Sequence, residues 1–288
     1  LATGGTTGTY YAVGGVMSTV LNKKLTKSSL TVTSTGASKA NIQLLADGEA
    51  NLAIVQNDVM HYAATGTDLF EAEGKYESFS SVCGMYDETV QLVTTNANIK
   101  SVTDLKGKTV CVGDAGSGTE FNAKQVLAAY GMSFDDITVN NASFGDSADS
   151  LKDGKIDAAF VVAGAPTTAV TSLATSRDVY LISLDEEHIA KLKETSPYYT
   201  ESTIAADVYG TAEDCTTVAV GAIVIARDDV SQQDVYNFIS TIYENIDSLS
   251  HDKAKELDLE FAASVTNIPY HPGAAQYFTE KGIEVPTK

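Results

Sequence analysis

Hydroxyl-bearing residues and glycines cluster in five short segments, each placed where a buried strand is expected to end. The segments are Gly5-TTGTYY, Ser34-TGAS, Gln56-ND, Gly113-DAGSGTE and Gly164-AP. A helix that begins after such a segment presents unpaired backbone N–H groups and a partial positive charge, so it can bind a carboxylate without an arginine. Each segment alone is also explained as an N-cap or a tight turn. Five of them at one edge of the strands favour a ligand cleft.

The sequence lacks the residue spacings that are typical of catalytic and metal-binding motifs. It has no nucleophile elbow, no HExxH, no P-loop and no GxGxxG after a strand. The loop from Gly113 to Gly118 lacks a following lysine, so it indicates a nucleotide-phosphate cradle only weakly. The histidines and cysteines are scattered without ligand spacing, which predicts packing or surface histidines and buried structural thiols. They are His61, His188, His251, His271, Cys83, Cys111 and Cys215. We therefore predict no enzyme, no metal and no cofactor.

The charge balance narrows the range of partners. The formal net charge of -19 comes from 38 acidic and 19 basic residues, and it repels nucleic acid and anionic lipid surfaces. The arginines, Arg177 and Arg227, both lie away from the five segments. A small anion must therefore be held by local dipoles and hydroxyls rather than by a bidentate arginine. Acidic and tyrosine residues beside the segments are candidates for pairing with a ligand ammonium and for walls, with capping or packing as the alternative. They are Asp58, Asp87, Glu88, Glu120, Tyr10, Tyr11, Tyr86 and Tyr209.

Two stretches of the chain repeat one order of elements: strand, polar loop, helix, Asp-Gly stop, strand and polar loop. Asp47-Gly48 and Asp153-Gly154 end the two helices, and the apolar runs Leu52 to Val55 and Ile156 to Val162 predict buried parallel strands. Alternation of strands and helices indicates a duplicated α/β architecture.

Two extended segments, Val90-QLVTT and Thr216-TVAVGAIVIARD, are expected to carry the chain between two lobes. The first lobe would comprise residues 1–92 plus 218–288, and the second 93–217. C-terminal helices over 230–249 and 273–281 would pack on the first lobe. The longest apolar run, Val218 to Ala226, is too short to span a membrane. The start at Leu1 suggests a trimmed mature form.

Several motifs together resemble the TAXI-type solute-binding proteins of TRAP transporters. They are GGTTGTYY, TSTGAS, LADGEANLAIVQND, TDLKGKTVCVGDAGSGTE, TVAV and YHPGAAQYF, spread along nearly the whole chain. The resemblance implies an α/β, periplasmic-binding-protein-like fold of type II, with two α/β lobes joined by two hinge strands. It also implies capture of a solute in the interlobe cleft and delivery to TRAP membrane permease subunits driven by an ion gradient.

The same resemblance, applied to the five segments, implies the residues that contact the solute. They are Thr6, Thr7, Gly8, Tyr10, Ser34, Thr35, Ser38, Gln56, Asn57, Ser117, Gly118 and Thr119. Gly164, from the fifth segment, and the wall and ammonium candidates Tyr86, Tyr209 and Glu88 complete the predicted set. The expected solute is anionic or zwitterionic, such as glutamate, glutamine or 2-oxoglutarate. Tyr86-Asp87-Glu88 stands where many relatives have Tyr-Pro-Glu. We expect a monomer outside the cytoplasm, periplasmic or lipid-anchored at the outer face of the cytoplasmic membrane.

Two other functions stay open from the sequence. One is a surface protein that binds a solute for sensing or acts as an antigen. The other is an enzyme on the same fold, such as a deaminase or transferase that uses an acidic residue of the cleft.

Overall fold

Helices and strands are interspersed along the chain in the computed structural model, which describes residues 1–265 and 267–288. The helices are α1 (Thr9–Lys24), α2 (Ser38–Ala46), α3 (Asn57–Thr65), α4 (Gly118–Ala129), α5 (Phe144–Lys152), α6 (Thr168–Ala174), α7 (Glu186–Thr195), α8 (Gln232–Tyr243), α9 (Asp252–Lys255), α10 (Leu259–Ala262) and α11 (Pro272–Glu280). The strands are β1 (Leu52–Gln56), β2 (Phe79–Thr94), β3 (Thr109–Cys111), β4 (Thr138–Asn140), β5 (Ala158–Ala163), β6 (Tyr180–Leu181), β7 (Thr200–Ile204) and β8 (Cys215–Arg227). Among the described residues, no helix is long and apolar enough to cross a membrane.

Contacts within the chain define two compact units. The first unit consists of Leu1–Gly4, Tyr10–Tyr86 and Gly221–Lys288, and the second of Gly5–Thr9 and Asp87–Val220. The long strands β2 and β8 each contribute residues to both units. The lobe boundaries expected from the sequence, at 92/93 and 217/218, fall within these two strands and stay a prediction.

In the first unit, β1 pairs antiparallel with the end of β8, from Leu52 opposite Ala226 to Gln56 opposite Ala222. Its parallel neighbour is the extended N-terminal segment, where Ala2 bridges to Ala53 and to Thr33. The expectation that β1 belongs to a parallel sheet was therefore wrong for its β8 partner. A strand buried on both faces shows the same apolar run whichever way its partner runs, so the pattern does not encode direction.

Helices α8 and α11 of the first unit pack closely because α11 has a glycine in its first turn. A Cβ at Gly273 would lie 2.2 Å from the backbone oxygen of Gln232 and 2.8 Å from the backbone nitrogen of Tyr236. Only glycine permits this approach. Helix α8 ends at Tyr243, six residues before the end expected from the apolar pattern, and a 3-10 turn over Ile246–Ser248 follows.

In the second unit, β3 lies between β4 and β5, and both pairs are parallel. β5 also pairs antiparallel with β2, and β7 pairs antiparallel with β8. The prediction that the 156–162 run forms a parallel strand is thus confirmed for its pairing with β3 and wrong for its pairing with β2. Fully buried residues such as Val110, Leu127 and Phe160 form one of its hydrophobic clusters.

The predicted Asp-Gly helix stops are confirmed. Asp47 and Asp153 are the C-cap residues of α2 and α5. The glycines that follow have positive φ angles, +76° at Gly48 and +70° at Gly154. This left-handed conformation ends a helix with little strain only when the residue has no side chain.

Candidate functional site

In the first unit, the hydroxyls of the Ser34-TGAS segment support the backbone of the neighbouring extended segment. Ser34 Oγ donates to the Gly4 oxygen over 3.0 Å. Thr35 Oγ1 lies 2.9 Å from the Thr3 oxygen and 2.6 Å from Asn41 Oδ1, and it accepts from the Ala37 N–H at 3.1 Å. Both hydroxyls hold the segment in place at the start of α2.

Helix α2 begins with an unusual backbone conformation. Its N-cap residue, Ala37, has φ 67° and ψ −148° and provides no side-chain cap. Ser38, 1% exposed, follows it, and its Oγ accepts from the Gln56 N–H at 3.1 Å. Ser38 thereby ties the start of α2 to the end of β1.

Helix α3 begins directly after β1 with Asn57, and its N-cap residue Gln56 provides no side-chain cap. The Oδ1 atom of Asn57 is buried and has no hydrogen-bond partner among the described residues. Its Nδ2 atom lies close to β8, where a Cβ at Gly221 would come within 3.1 Å. The glycine therefore leaves room for the Asn57 amide.

The predicted tyrosine walls of the first unit lie in its hydrophobic core. Tyr10 is 6% exposed and Tyr86 is 3% exposed. Tyr10, on the first turn of α1, packs against Gly4, where a Cβ would lie 3.6 Å from the Tyr10 ring. Both tyrosines belong to the hydrophobic cluster of this unit.

In the second unit, the Gly5–Thr9 segment lies against the starts of α5 and α6. A Cβ at Gly145 would lie 3.2 Å from Thr7 Oγ1, and one at Gly8 would lie 3.5 Å from the Phe144 ring. The Ala169 N–H donates to the Thr7 oxygen over 3.3 Å. Thr6 is exposed and Thr7 is half-buried.

The loop before α4 satisfies several of its own N–H groups. Ser117 is the N-cap residue, and its Oγ accepts from the Glu120 N–H at 3.1 Å. The Glu120 carboxylate accepts from the Gly116 N–H at 2.7 Å and from Asn141 Nδ2 at 2.8 Å. Gly118 and Thr119, which open the helix, are buried. Some of the N–H groups that were expected to bind an anion therefore already donate to side chains of the same loop.

Two carboxylates of the second unit, Asp114 and Glu88, are at least partly buried. Burial, and next the nearby Asp146 carboxylate, raise the pKa of Asp114. Glu88 on β2 is 2% exposed. Among residues 1–265 and 267–288, no group of three or more histidine, cysteine or acidic side chains is arranged to hold a metal ion.

Both arginines are engaged with other groups. Arg177 donates to the Lys152 oxygen through Nε and Nη2, and Arg227 pairs with Asp229 and contacts the Ala50 oxygen. The cysteines Cys83, Cys111 and Cys215 are free and buried, as predicted. Burial raises the pKa of Cys83 to about 12, so this thiol stays protonated.

Gly164 and Tyr209 meet in one buried network of the second unit. Tyr209 is 8% exposed, and its hydroxyl bonds to Gln91 and to the Thr167 N–H. Thr9, 3% exposed, donates through Oγ1 to the Gly164 oxygen over 2.8 Å. Thr9, Gln91 and Thr167 were not among the residues predicted from the sequence. Gln91 could have been identified from the sequence, because it is an amide side chain within an apolar run of β2.

Comparisons with known proteins place this geometry in context. The sequence model of the NMT1-like family matches residues 1–282. The structure is similar to the periplasmic aliphatic sulphonate binding protein SsuA from Escherichia coli, at 16% identity and a TM-score of 0.52, over 97% of this chain and 82% of that chain.

Two further solved structures show the same similarity. The alkanesulfonate-binding protein SsuA from Xanthomonas axonopodis pv. citri, bound to MOPS, matches at 16% identity and a TM-score of 0.52, over 97% of this chain and 83% of that one. An ancestral arginine-binding protein bound to arginine matches at 18% identity and a TM-score of 0.50, over 88% of this chain and 95% of that one. These similarities show the fold, and the expected periplasmic-binding-protein-like α/β class is confirmed.

Proposed function

The chain belongs to the NMT1-like family, and from that premise we propose that it is an extracytoplasmic solute-binding protein of a membrane transporter. The finer proposal is a TAXI-type protein of a TRAP transporter, monomeric and either periplasmic or lipid-anchored. It captures a small carboxylate or amino acid such as glutamate, glutamine or 2-oxoglutarate and delivers it to the permease. The shared fold with sulfonate- and arginine-binding proteins supports solute capture, and the sequence motifs support the TAXI assignment.

The observation that carries the proposal is the start of helices α2 and α3. Both begin without a side-chain cap, at two of the predicted ligand segments. In the same unit, α8 and α11 begin with capping side chains from Ser231 and His271. A helix start without a cap leaves N–H groups and a partial positive charge available to an anion. We assign this role to α2 for a solute carboxylate, because in α3 the Val59 N–H already donates to the buried Asp58 carboxylate over 2.8 Å.

Asn57 supports a solute that also donates hydrogen bonds. Its buried Oδ1 atom lacks a partner among the described residues. A buried acceptor without a donor costs about 1–3 kcal/mol. An ammonium, amide or hydroxyl of the solute would remove this cost. A carboxylate together with an N–H donor is the combination found in an amino acid.

The arginines and the net charge explain why local groups must bind the solute. The net charge of -19 opposes the approach of an anion. Arg177 donates to the backbone oxygen of Lys152, and Arg227 forms an ion pair with Asp229. Backbone N–H groups and hydroxyls of the candidate loops therefore provide the attraction at short range.

Thermal unfolding and calorimetry with single solutes test the proposal. L-Glutamate, L-glutamine and 2-oxoglutarate are the main arms, and an alkanesulfonate and L-arginine are the comparison arms. A solute at 100 times its Kd should raise the free energy of unfolding by about 2.7 kcal/mol. Stabilisation by a main arm supports the proposal, and stabilisation by the sulfonate alone would replace the carboxylate assignment. No effect from any arm would overturn solute capture.

The transporter assignment needs a separate test. Uptake of the bound solute into membrane vesicles with the cognate permease should require this protein and an ion gradient, without ATP. Uptake that requires ATP would overturn the TRAP assignment and leave solute capture intact. An NMR spectrum of the solute incubated with the protein should stay unchanged, and a new product would indicate an enzyme.

A further inference from the structure

Tyr209 lies after the 3-10 turn Ala206–Val208, on the segment that joins β7 to β8. Its hydroxyl donates to Gln91 Oε1 over 2.6 Å and accepts from the Thr167 N–H at 2.7 Å. Burial raises the pKa of Tyr209, so the hydroxyl keeps its proton near neutral pH. The donor and one acceptor site of this hydroxyl are both used inside the protein.

Gln91 closes a ring of hydrogen bonds around the same turn. It is fully buried on β2, and its Nε2 atom donates to Thr167 Oγ1 over 2.9 Å and to the Ala163 oxygen over 3.2 Å. Thr167 Oγ1 lies 3.0 Å from the Gly164 oxygen, to which it donates. A buried network with its polar groups satisfied holds one geometry, because any displacement leaves a group unpaired.

The turn that this ring fixes holds the Gly5–Thr9 segment. The Gly164 oxygen accepts from Thr9 Oγ1 at 2.8 Å, and the Ala169 N–H, in the first turn of α6, donates to the Thr7 oxygen over 3.3 Å. A continuous chain of bonds therefore runs from Tyr209 through Thr167 and Gly164 to the segment that contains Thr6, Thr7 and Gly8. Every link of this chain lies within the second unit.

We propose that Tyr209 and Gln91 are positioning residues that set the place of the Thr6–Gly8 loop from behind, without contacting the solute. From the sequence, Tyr209 was predicted to contact the solute directly. The network instead engages its hydroxyl with Gln91 and the Thr167 backbone. The consequence for solute affinity rests on the proposed function, whereas the consequence for the loop does not.

Hydrogen exchange of Tyr209→Phe, compared with the native protein, tests the effect on the loop. The phenylalanine keeps the ring and removes the bonds to Gln91 and Thr167. Hydrogen exchange at the Ala169 and Gly8 amides should become about fivefold to tenfold faster. The reason is that the loss of a buried hydrogen bond lowers the free energy needed to open this region locally. Faster exchange confined to residues 206–211, with the Gly5–Thr9 segment unchanged, would overturn the proposal.

Tyr130→Phe is the matched control. Tyr130 belongs to the same unit, and its hydroxyl donates to Asp185 Oδ2 over 2.9 Å. Removal of this hydroxyl should leave the exchange of the Gly5–Thr9 segment unchanged. Gln91→Met, which breaks the ring from β2, carries the same expectation as Tyr209→Phe and replaces it if that variant does not fold.

A double variant separates positioning from a general loss of stability. Calorimetry uses whichever of L-glutamate, L-glutamine or 2-oxoglutarate binds the native protein most tightly. Tyr209→Phe should weaken binding about fivefold, and should have little further effect in a Thr9→Val background, because both changes act through Gly164. Independent, additive losses would overturn positioning through Thr9. If none of the three solutes binds the native protein, the carboxylate or amino-acid assignment fails, and hydrogen exchange still decides whether Tyr209 positions the loop.

Discussion

The hydroxyl of Thr9 donates a hydrogen bond to the backbone oxygen of Gly164 over 2.8 Å, although 155 positions separate them in the sequence. Both residues belong to the second unit, while Tyr10, the next residue in the chain, belongs to the first. A single buried bond therefore fixes the end of the Gly5–Thr9 segment on the Gly164 turn. We expect this bond, together with the one from the Ala169 N–H to the Thr7 oxygen, to hold the predicted ligand residues Thr7 and Gly8 in position.

Thr9→Val tests the contribution of this bond. Valine has the same shape but no donor, and the Gly164 oxygen keeps its bond from Thr167. The free energy of unfolding should fall by about 1 kcal/mol, and solute binding should weaken. Thr19→Val on the same helix is the control, because Thr19 is exposed and donates to Gly15 within α1. Urea unfolding measures both variants, and equal stability of the two would contradict the expectation.

Gly113→Ala tests whether close packing before α4 is essential. Gly113 has φ +91°, and a Cβ there would lie 2.8 Å from Thr119 Cβ and 2.9 Å from Ser117 Oγ. The variant should lose about 2–4 kcal/mol of stability, from the left-handed conformation and from displacement of Ser117 and Thr119. It should also weaken solute binding.

Gly107→Ala separates these two causes. Gly107 has φ +72°, and a Cβ there would meet no atom within 4 Å. This variant carries the conformational cost alone, about 1–2 kcal/mol, and should bind solute normally. If calorimetry shows the same affinity for both alanine variants, the loop before α4 does not contribute to the site.

The sequence determines the elements of this fold better than their pairing. Asp47-Gly48 and Asp153-Gly154 mark helix ends because the left-handed conformation restricts the residue type locally. The antiparallel pairing of β1 with β8 depends on residues distant in sequence, and a run buried on both faces carries no sign of direction.

The candidate site shows the same limit at the level of side chains. Glycine and hydroxyl segments indicated the loops, because helix starts favour these residue types. The pattern did not predict that the Tyr209 hydroxyl bonds to Gln91. Partners in a buried network are set by packing of distant strands, so they require the structure.

Ala37 provides a test of backbone strain at the start of α2. Its φ of 67° with ψ −148° is a conformation that glycine adopts readily and that other residues rarely adopt. Ala37→Gly should therefore keep or raise the stability, and Ala37→Val should lower it by about 1–3 kcal/mol. Denaturant unfolding of both variants measures this difference. A valine variant as stable as the native protein would show that the start of α2 is not strained.

We expect His271 to make the free energy of unfolding dependent on pH. Its Nδ1 atom accepts from the Gly273 N–H at 3.2 Å as the cap of α11, and its Nε2 atom lies 3.1 Å from the Val230 oxygen. This arrangement requires the neutral ring with the proton on Nε2. Burial lowers the pKa of His271 below 6.5, and the hydrogen bond to the Val230 backbone and the Asp228 carboxylate oppose this shift only partly.

The sign of the pH effect follows from this lowered pKa. As the pH falls below 6.5, the unfolded chain binds a proton at His271 before the folded chain does, so the free energy of unfolding decreases until the folded pKa is passed. His271→Asn keeps a capping acceptor and removes the titration, so its unfolding free energy should change less between about pH 7 and 5. Burial also lowers the pKa of His251, and His251→Asn should remove a second contribution of the same sign. Urea unfolding across this pH range measures both, and an unchanged slope in His271→Asn would show that its cap does not control the acid response.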